Sequence, residues 1–444
     1  MSENKKLITS RTLYLSGEES ITVEIGKEAD SENIIKYNGQ TEDVLDDKLD
    51  GEEISDYTYR KLREKYRTYF SQSIENLIFL TGAGASKGIG VKDKTGLLTS
   101  EFWAVIEDHL DAEFKEGILD KVCEEAKYDG KNIEELLSKL FLLTNIYDDP
   151  SFEFEDNKFR IEDIVKSIEG RIKELCTLTL PNDSPHRDML RKVSKRKPSL
   201  PRVKIFTLNY DLLFEQAANQ INATLIDGFS FSYPREFSGR NFDFDIVKRE
   251  NTKLKKDEDY VERVFHLYKL HGSINWKKIE NPTKVVISDE DSDDPLMIYP
   301  RSNKYEASYD QPFFEMMSRF QTALRQDNST LVTIGFSFSD KHIVTAIFEA
   351  FNQNPSFNLI IVDPFFSDSE NEVLDELVIR AKETKRIVFI GEYFSAFAKA
   401  LPENQSYNEP IEKRLIFPKK FNTQSKSDST NIDTKEKPDE NPPF

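Results

Sequence analysis

This chain has little cysteine, no long apolar run and no excess of basic charge. Its 444 residues include two cysteines, Cys123 and Cys176, which is too few for a disulfide framework or a four-thiolate zinc site. Such scarcity is typical of a reducing compartment. No apolar run approaches the roughly 18 residues that span a bilayer, and the N-terminus lacks the apolar segment of a signal peptide. These absences predict a cytoplasmic protein that does not bind membranes.

Acidic residues outnumber basic ones by 80 to 61, which gives a formal net charge of −19. This balance disfavours nonspecific binding to nucleic acids, because their phosphate backbone rewards positive surface. Eight basic residues do gather between Arg187 and Lys204, and a solvated helix face explains them more simply than a nucleic-acid site. We therefore expect a small molecule or a protein as the partner, and no direct binding of nucleic acid.

Short apolar runs that end in turn residues recur along the chain. The runs start at Asn76, Val203, Leu331, Asn358 and Arg386. Segments of helical period lie between or after them, and buried strands that alternate with helices are typical of a parallel sheet covered on both faces. The sequence therefore predicts an α/β fold with a doubly wound, Rossmann-like parallel sheet and an inserted, mostly helical module at about residues 100–200.

The regions outside this pattern differ in composition. Residues 1–70 are acidic, with two strand-like pieces and a charged helix near residues 56–70, and are predicted to form an N-terminal leader. Residues 230–256 have little periodicity and are interpreted as an inserted loop region. From residue 417 the chain is rich in Lys, Ser, Asn and Pro, a composition that predicts a disordered tail over residues 417–444.

A glycine-rich turn follows the first apolar run. Gly82, Ala83, Gly84 and Ser86 stand where a strand should end and a helix begin. Glycines let the backbone come close to a diphosphate, and a helix N-terminus favours its negative charge. The turn lacks the third glycine of the dinucleotide fingerprint and the Gly-Lys-Ser/Thr of a P-loop. A tight turn without a ligand is therefore an equal alternative.

Polar side chains also follow the later apolar runs. Asn209 offers both a donor and an acceptor, and Asp211 can either orient it or cap the next helix. His271, which follows the apolar stretch 264–267 in the sequence Leu-His-Gly-Ser, is a candidate general base, although a lone histidine is more often structural. Because ligands of open α/β sheets bind outside the carboxyl ends of the strands, we expect these side chains to share one site.

Two more strand ends complete the set. Gly335 and Ser337 can hold a phosphate or a ribose, whereas Ser339 or Asp340 beside them can equally cap a helix. Asp363 can accept hydrogen bonds from ribose hydroxyls. Its alternative is a turn formed with the proline that follows it.

The order of these motifs along one α/β chain resembles the sirtuin superfamily, and more closely the prokaryotic sirtuin-like domains of antiphage defence systems. The similarity runs from about Asn76 to Gly391. It is strongest at residues 77–86, 206–215, 270–276 and 334–340. The resemblance implies a sirtuin-like NAD-binding catalytic domain at residues 71–416, with NAD+ as its substrate and no metal.

The resemblance also implies a role for each motif. Asn209 and His271 would be the catalytic pair. The residues that bind NAD+ would be Gly82, Ala83, Gly84, Ser86, Asp211, Gly335, Ser337 and Asp363. Within that set the residues of the glycine turn would cradle the diphosphate, Asp211 would support the nicotinamide-ribose pocket, Ser337 would contact ribose or phosphate, and Asp363 would contact the adenosine ribose.

Two departures from the family bear on the activity. Deacylating sirtuins carry a zinc ribbon of two Cys-x-x-Cys pairs after the His-Gly motif, and this chain has no cysteine after Cys176. Residues 90–95 also lack the Phe-Arg that sirtuins place over the nicotinamide. The resemblance therefore implies an NAD+ glycohydrolase that releases nicotinamide and ADP-ribose and depletes NAD+ in abortive infection. The alternatives are a protein deacylase or ADP-ribosyltransferase, and a non-catalytic sensor of NAD+ or ADP-ribose.

Unrestrained cleavage of NAD+ would poison the host, so we expect the activity to depend on assembly. The expected partner is a second copy of the chain or another protein. The resemblance implies a HerA-type ATPase, an Argonaute-like protein or a phage trigger protein. Residues 1–70 and the helical module are the expected assembly surfaces.

Overall fold

A ten-stranded sheet runs through the part of the chain that the structure describes. The computed structural model describes residues 7–28, 31–70, 74–197, 199–248, 260–281, 283–288, 295–297, 311–369 and 371–402. The strands lie side by side in the order β10 (Thr224–Ile226), β11 (Val264–Lys269), β9 (Val203–Thr207), β4 (Asn76–Thr81), β14 (Ser329–Ile334), β15 (Asn358–Val362), β16 (Ile387–Ile390), β1 (Leu7–Ser16), β2 (Glu19–Glu28) and β3 (Ser31–Tyr37). The predicted disorder of residues 417–444 falls outside the described residues.

The seven strands from β10 to β16 in that order are parallel, whereas β1–β3 pair antiparallel. In β14 every residue is buried, as expected of a strand covered on both faces. Two apolar layers lie on the two faces of the sheet. The predicted doubly wound α/β fold is therefore confirmed, although the antiparallel strands make the sheet a mixed one.

Helices supply both layers. One layer contains α1 (Ile54–Phe70), α7 (Pro185–Val193), α8 (Leu213–Gln220) and α12 (Phe394–Ala400). The other contains α9 (Phe313–Leu324), α10 (Lys341–Gln353) and α11 (Glu372–Glu383). Among the helices of the described ranges, none has both the length and the apolar character needed to cross a bilayer.

Shorter elements fill the connections. Three two-stranded sheets are formed by β5 (Gly90–Val91) with β6 (Lys94–Thr95), β7 (Ser151–Phe154) with β8 (Asn157–Arg160), and β12 (Trp276–Glu280) with β13 (Thr283–Ile287). Single helical turns are α2 (Ala83–Ser86) and the 3₁₀ segments Glu42–Val44, Thr99–Glu101 and Gly239–Asp243. In the described part of the predicted loop region, residues 230–248, the 3₁₀ segment is the one helical element.

A helical module with its own apolar core lies between β4 and β9 in the sequence. It consists of α3 (Phe102–Glu113), α4 (Ile118–Glu125), α5 (Ile133–Ile146) and α6 (Ile161–Cys176). Leu110, Leu136 and Ile164 are fully buried in its core, which also contains Ile274 and packs against the partly buried Tyr210. The module therefore packs beside the loops that follow β9 and β11.

The N-terminal region takes part in the main sheet. The sequence predicts residues 1–70 as a leader outside the NAD-binding domain, whereas residues 7–37 supply β1–β3 in the structure. Tyr14 of β1 lies opposite Ile390 of β16, and α1 packs its buried Leu62 and Tyr66 into the layer of α7 and α12. These strands continue the sheet because β16 would otherwise expose an unpaired edge.

Part of the basic segment 187–204 is buried rather than solvated. The side chain of Lys192 is 7% exposed, and its Nζ donates to the carbonyls of Ala398 (2.8 Å) and Lys399 (2.7 Å). Arg202 pairs with Asp245 at 3.0 Å. The prediction of a solvated helix face is therefore wrong for Lys192, which joins α7 to the end of α12.

His186 is expected to make the fold sensitive to acid. It is fully buried between Phe214 and Phe394, with ring centroids 4.8 and 5.1 Å away, and burial lowers its pKa to about 4. Between pH 6.5 and 4, His186 therefore binds a proton in the unfolded chain and stays neutral in the folded chain. The free energy of unfolding is therefore unaffected by His186 above pH 6.5 and decreases as the pH falls toward 4, by at most about 3 kcal/mol from this residue.

Urea unfolding of wild-type protein and His186→Phe at pH 7 and pH 4.5 measures this term. Other acid-sensitive groups act in both proteins, so the difference between them isolates His186. We expect the variant to lose less stability on acidification. Equal losses in the two proteins would show that His186 is not held neutral in the fold.

Candidate functional site

The carboxyl ends of five adjacent parallel strands meet at one edge of the sheet. At the centre, Thr81 of β4 is level with Thr207 of β9 on one side and Ile334 of β14 on the other. Lys269 of β11 and Val362 of β15 extend the row outward. The strand order reverses at β4, because β9 and β14 lie on opposite sides of it. Open α/β sheets bind ligands at such a switch point, and every site residue predicted from the sequence follows one of these five strands.

Gly82 and Gly84 lie directly against Gly335. A Cβ on Gly82 would come within 2.7 Å of the Gly335 carbonyl oxygen, and one on Gly84 within 2.7 Å of its Cα. The Gly84 amide donates to the Gly335 carbonyl at 3.0 Å. Close approach of two backbones therefore explains these glycines, and Ala83 begins the single turn α2 that follows. Their contact with a diphosphate stays a prediction.

Gly335→Ala is expected to destabilise the protein strongly. Gly335 has φ +59°, and a Cβ there would lie 2.4 Å from the amide nitrogen of Ala85. The left-handed backbone and the overpacking together should cost about 2–4 kcal/mol of unfolding free energy. Denaturant unfolding measures the loss of stability.

Gly170→Ala is the matched control. A Cβ at that helical position meets nothing within 4 Å, so the substitution should stabilise α6 by about 0.5–1 kcal/mol. Equal stability of Gly335→Ala and wild type would contradict the close approach.

Asn209, Ser86 and Asp211 form one chain of hydrogen bonds. Asn209 Nδ2 donates to the Gly82 carbonyl at 2.9 Å and to Ser86 Oγ at 2.8 Å. Ser86 Oγ in turn donates to Asp211 Oδ2 at 2.6 Å. The other carboxylate oxygen of Asp211 accepts from the amide of Leu213 at 3.1 Å. The N-cap of α8 is Leu212, so Asp211 lies one residue before the cap and supports Ser86. Because both hydrogens of the Asn209 amide are used, its orientation is fixed.

His271 is paired with a carboxylate. Its Nε2 lies 3.3 Å from Asp340 Oδ2, and the two side chains are 16% and 9% exposed. Asp340 Oδ1 accepts from the amides of His342 and Ile343, so the predicted helix cap is confirmed for Asp340 at the start of α10. A carboxylate in this position can orient the imidazole and stabilise the charge that it gains when it accepts a proton.

Ser337 and Asp363 lie on the β14–β15 side of the switch point, whereas Asn209 and His271 lie on the β9–β11 side. Ser337 Oγ is 3.0 Å from Ser339 Oγ. Asp363 Oδ1 accepts from the amide of Phe365 at 2.7 Å, which confirms the predicted turn. Burial raises the pKa of the Asp363 carboxyl. Binding of ribose by Ser337 or Asp363 stays a prediction.

Sequence reasoning missed two features of this edge. It considered Asp340 as a helix cap and did not foresee its contact with His271. It also overlooked Lys269, which is 3% exposed at the end of β11. The available signal was its position as a charged residue at the end of a mostly apolar run. A lysine buried there needs hydrogen-bond acceptors nearby.

The described residues contain no cluster of three or more His, Cys, Asp or Glu side chains that could hold a metal ion. Cys123 and Cys176 are free thiols. Burial raises the pKa of the Cys176 thiol to about 12, so this cysteine carries no thiolate at neutral pH.

A family model described as a SIR2-like domain matches residues 203–390. This match supports a sirtuin-like domain. It spans β9 to β16 and so includes Asn209, His271, Asp340 and Asp363, but not the glycine turn after β4. The family implies use of NAD+. No curated protein matches the chain.

Proposed function

We propose that the chain is an NAD+ glycohydrolase that cleaves the bond between nicotinamide and ribose. One observation carries the proposal. At the switch point of a sheet with a SIR2-like domain, an asparagine fixed by its own turn and a histidine paired with a carboxylate follow neighbouring strands, β9 and β11. This arrangement suits the positioning of water and the removal of one proton.

The proposed reaction consumes NAD+ and water and yields nicotinamide, ADP-ribose and a proton. The glycosidic carbon–nitrogen bond breaks, and the electron pair leaves with nicotinamide while oxocarbenium character develops on the ribose. Asn209 positions the water or the ribose hydroxyls, and His271 takes the proton of the attacking water. Asp340, 3.3 Å from Nε2 of His271, stabilises the imidazolium that results.

Protein deacylation is the less favoured candidate. Deacylating sirtuins carry a zinc ribbon built from cysteines after the His-Gly motif, and the sequence printed here has no cysteine after Cys176. The loss of the ribbon is compatible with hydrolysis, which needs no peptide substrate.

We further propose that the hydrolase is the NAD-depleting effector of an antiphage defence system and acts in the cytoplasm as part of an assembly. The partner would be a second copy, a HerA-type ATPase, an Argonaute-like protein or a phage protein. Exposed apolar side chains at the end of α5, Leu142, Ile146 and Tyr147, make the helical module a candidate contact surface. Light scattering that finds an active monomer alone would contradict the assembly.

Nicotinamide release from NAD+ by the purified chain tests the central proposal. We expect one ADP-ribose per nicotinamide, without any added peptide. Turnover that requires an acylated peptide would indicate a deacylase, and ADP-ribose attached to protein would indicate a transferase. Binding of NAD+ by calorimetry without turnover, even with the proposed partners, would indicate a sensor. In a bacterial host, a fall in cellular NAD+ after phage infection would support the defence role.

A further inference from the structure

Lys269 is a buried charge at the base of the candidate site. It ends β11, two residues before His271. Its Nζ donates to the carbonyl of Tyr210 at 3.3 Å, to the carbonyl of Asp211, and to Glu215 Oε1 at 3.2 Å. An ammonium group has three hydrogens to donate, so each finds an acceptor.

Two of these acceptors belong to the loop that follows β9 and carries Asn209. Backbone hydrogen bonds also join this loop to the one that carries the histidine, from Leu270 N to Thr207 O at 2.9 Å and from Ile274 N to Tyr210 O at 3.1 Å. The ammonium group of Lys269 adds a hydrogen bond to the carbonyl of Asp211. Lys269 therefore connects the middle of the loop that follows β9 to β11, the strand that leads into the His271 loop.

Glu215, in the first turn of α8, depends on the lysine in return. Burial raises the pKa of its carboxyl, and the charge of Lys269 opposes that rise. Glu215 Oε2 is buried without a hydrogen-bond partner in the described residues. The Glu215 side chain is 26% exposed. Removing Lys269 alone would therefore leave a partly buried carboxyl group without its ion-pair partner, which is destabilising.

We propose that Lys269 is a positioning residue that holds the Asn209 loop in place beside His271. The lysine binds the Asp211 backbone, the Asp211 side chain holds Ser86, and Ser86 accepts from the Asn209 amide. It acts through these groups and does not touch the substrate. The expected loss of turnover rests on the proposed function. The expected change in the loop rests on the loop contacts alone.

The double variant K269M/E215M tests the role without leaving a charge behind. Replacing a buried ion pair with apolar side chains is often neutral for stability, so we expect a melting temperature near that of wild type. Both loop carbonyls lose their bond to Nζ of Lys269, although that of Tyr210 still accepts from the Ile274 amide. We expect kcat for nicotinamide release to fall by about 10–100-fold with a smaller change in KM, because misplacing a positioned group slows the chemical step more than it weakens binding.

K192M is the matched control. Lys192 is a second buried lysine whose Nζ donates to two backbone carbonyls, at the end of α12. Its loss should lower stability and leave kcat unchanged. A K269M/E215M variant that turns over as wild type does would overturn the positioning role, and so would a kcat loss of the same size in K192M.

Amide hydrogen exchange, measured by mass spectrometry on peptides covering residues 208–212, separates this inference from the proposed function. We expect faster exchange there in K269M/E215M and no change there in K192M. Unchanged exchange in the double variant would overturn the inference. Faster exchange in a protein whose wild type releases no nicotinamide, even with the proposed partners, would contradict the hydrolase and retain the loop-holding role of Lys269.

Discussion

Replacing His271 with alanine is expected to lower the rate of nicotinamide release by about 10²–10⁴-fold, the usual contribution of a positioned general base. The side chain follows β11 at the switch point, with Nε2 3.3 Å from the Asp340 carboxylate. Because the base acts on the attacking water, kcat should fall much more than the affinity for NAD+. Initial rates over a range of NAD+ concentrations, with nicotinamide separated by chromatography, measure both.

His109→Ala is the control for this variant. His109 lies on α3 in the helical module, with Nε2 3.1 Å from Ser167 Oγ, and it follows none of the five strand ends. Its replacement should leave turnover unchanged. Near-normal turnover in His271→Ala would show that another group removes the proton. An equal loss in both variants would point to a general effect on the fold.

Asn209→Ala is expected to reduce turnover by about 10²–10³-fold, as removal of one preorganised hydrogen-bonding group usually does. The change deletes the bonds from Nδ2 to the Gly82 carbonyl and to Ser86 Oγ. The glycine turn and the β9 loop then remain joined by the bond from Ser86 Oγ to Asp211 Oδ2 alone among these three. Rates of nicotinamide release and calorimetric binding of NAD+ together show whether chemistry or binding suffers.

Asn219→Ala serves as the counterpart. Asn219 is an exposed residue near the end of α8, and its side chain lies on the solvent side of that helix. We expect full activity from it. If Asn209→Ala also kept full activity, the pairing of Asn209 with His271 in the reaction would have to be abandoned.

The regular part of the fold follows closely from local sequence pattern. The apolar run that starts at Asn76 became β4, the run at Asn358 became β15, and the helical module predicted at about residues 100–200 contains α3 to α6. These segments are long or strongly apolar, so burial alone decides their conformation. The short strand β10 was not predicted, because three residues carry too little periodicity.

The distribution of charge predicted which segments are buried less well than the pattern of apolar residues did. The acidic composition of residues 1–70 suggested a leader, yet the first strand-like piece in it pairs with β16 and the second pairs with the first. The basic residues after Arg187 suggested a solvated face, yet Lys192 is buried against backbone carbonyls. A charged side chain can satisfy its polar end inside the fold, and composition does not reveal the acceptors.

The sequence by itself determined the α/β class and the chemical types that follow each strand, because burial of a strand and polarity of a turn are properties of consecutive residues. Only the tertiary structure decided which strand ends are neighbours. It placed Asp340 beside His271, set Gly335 against Gly82 and Gly84, and left Lys269 beneath the Asn209 loop. These contacts join residues far apart in the chain, so they depend on the order of strands across the whole sheet, which no local pattern encodes.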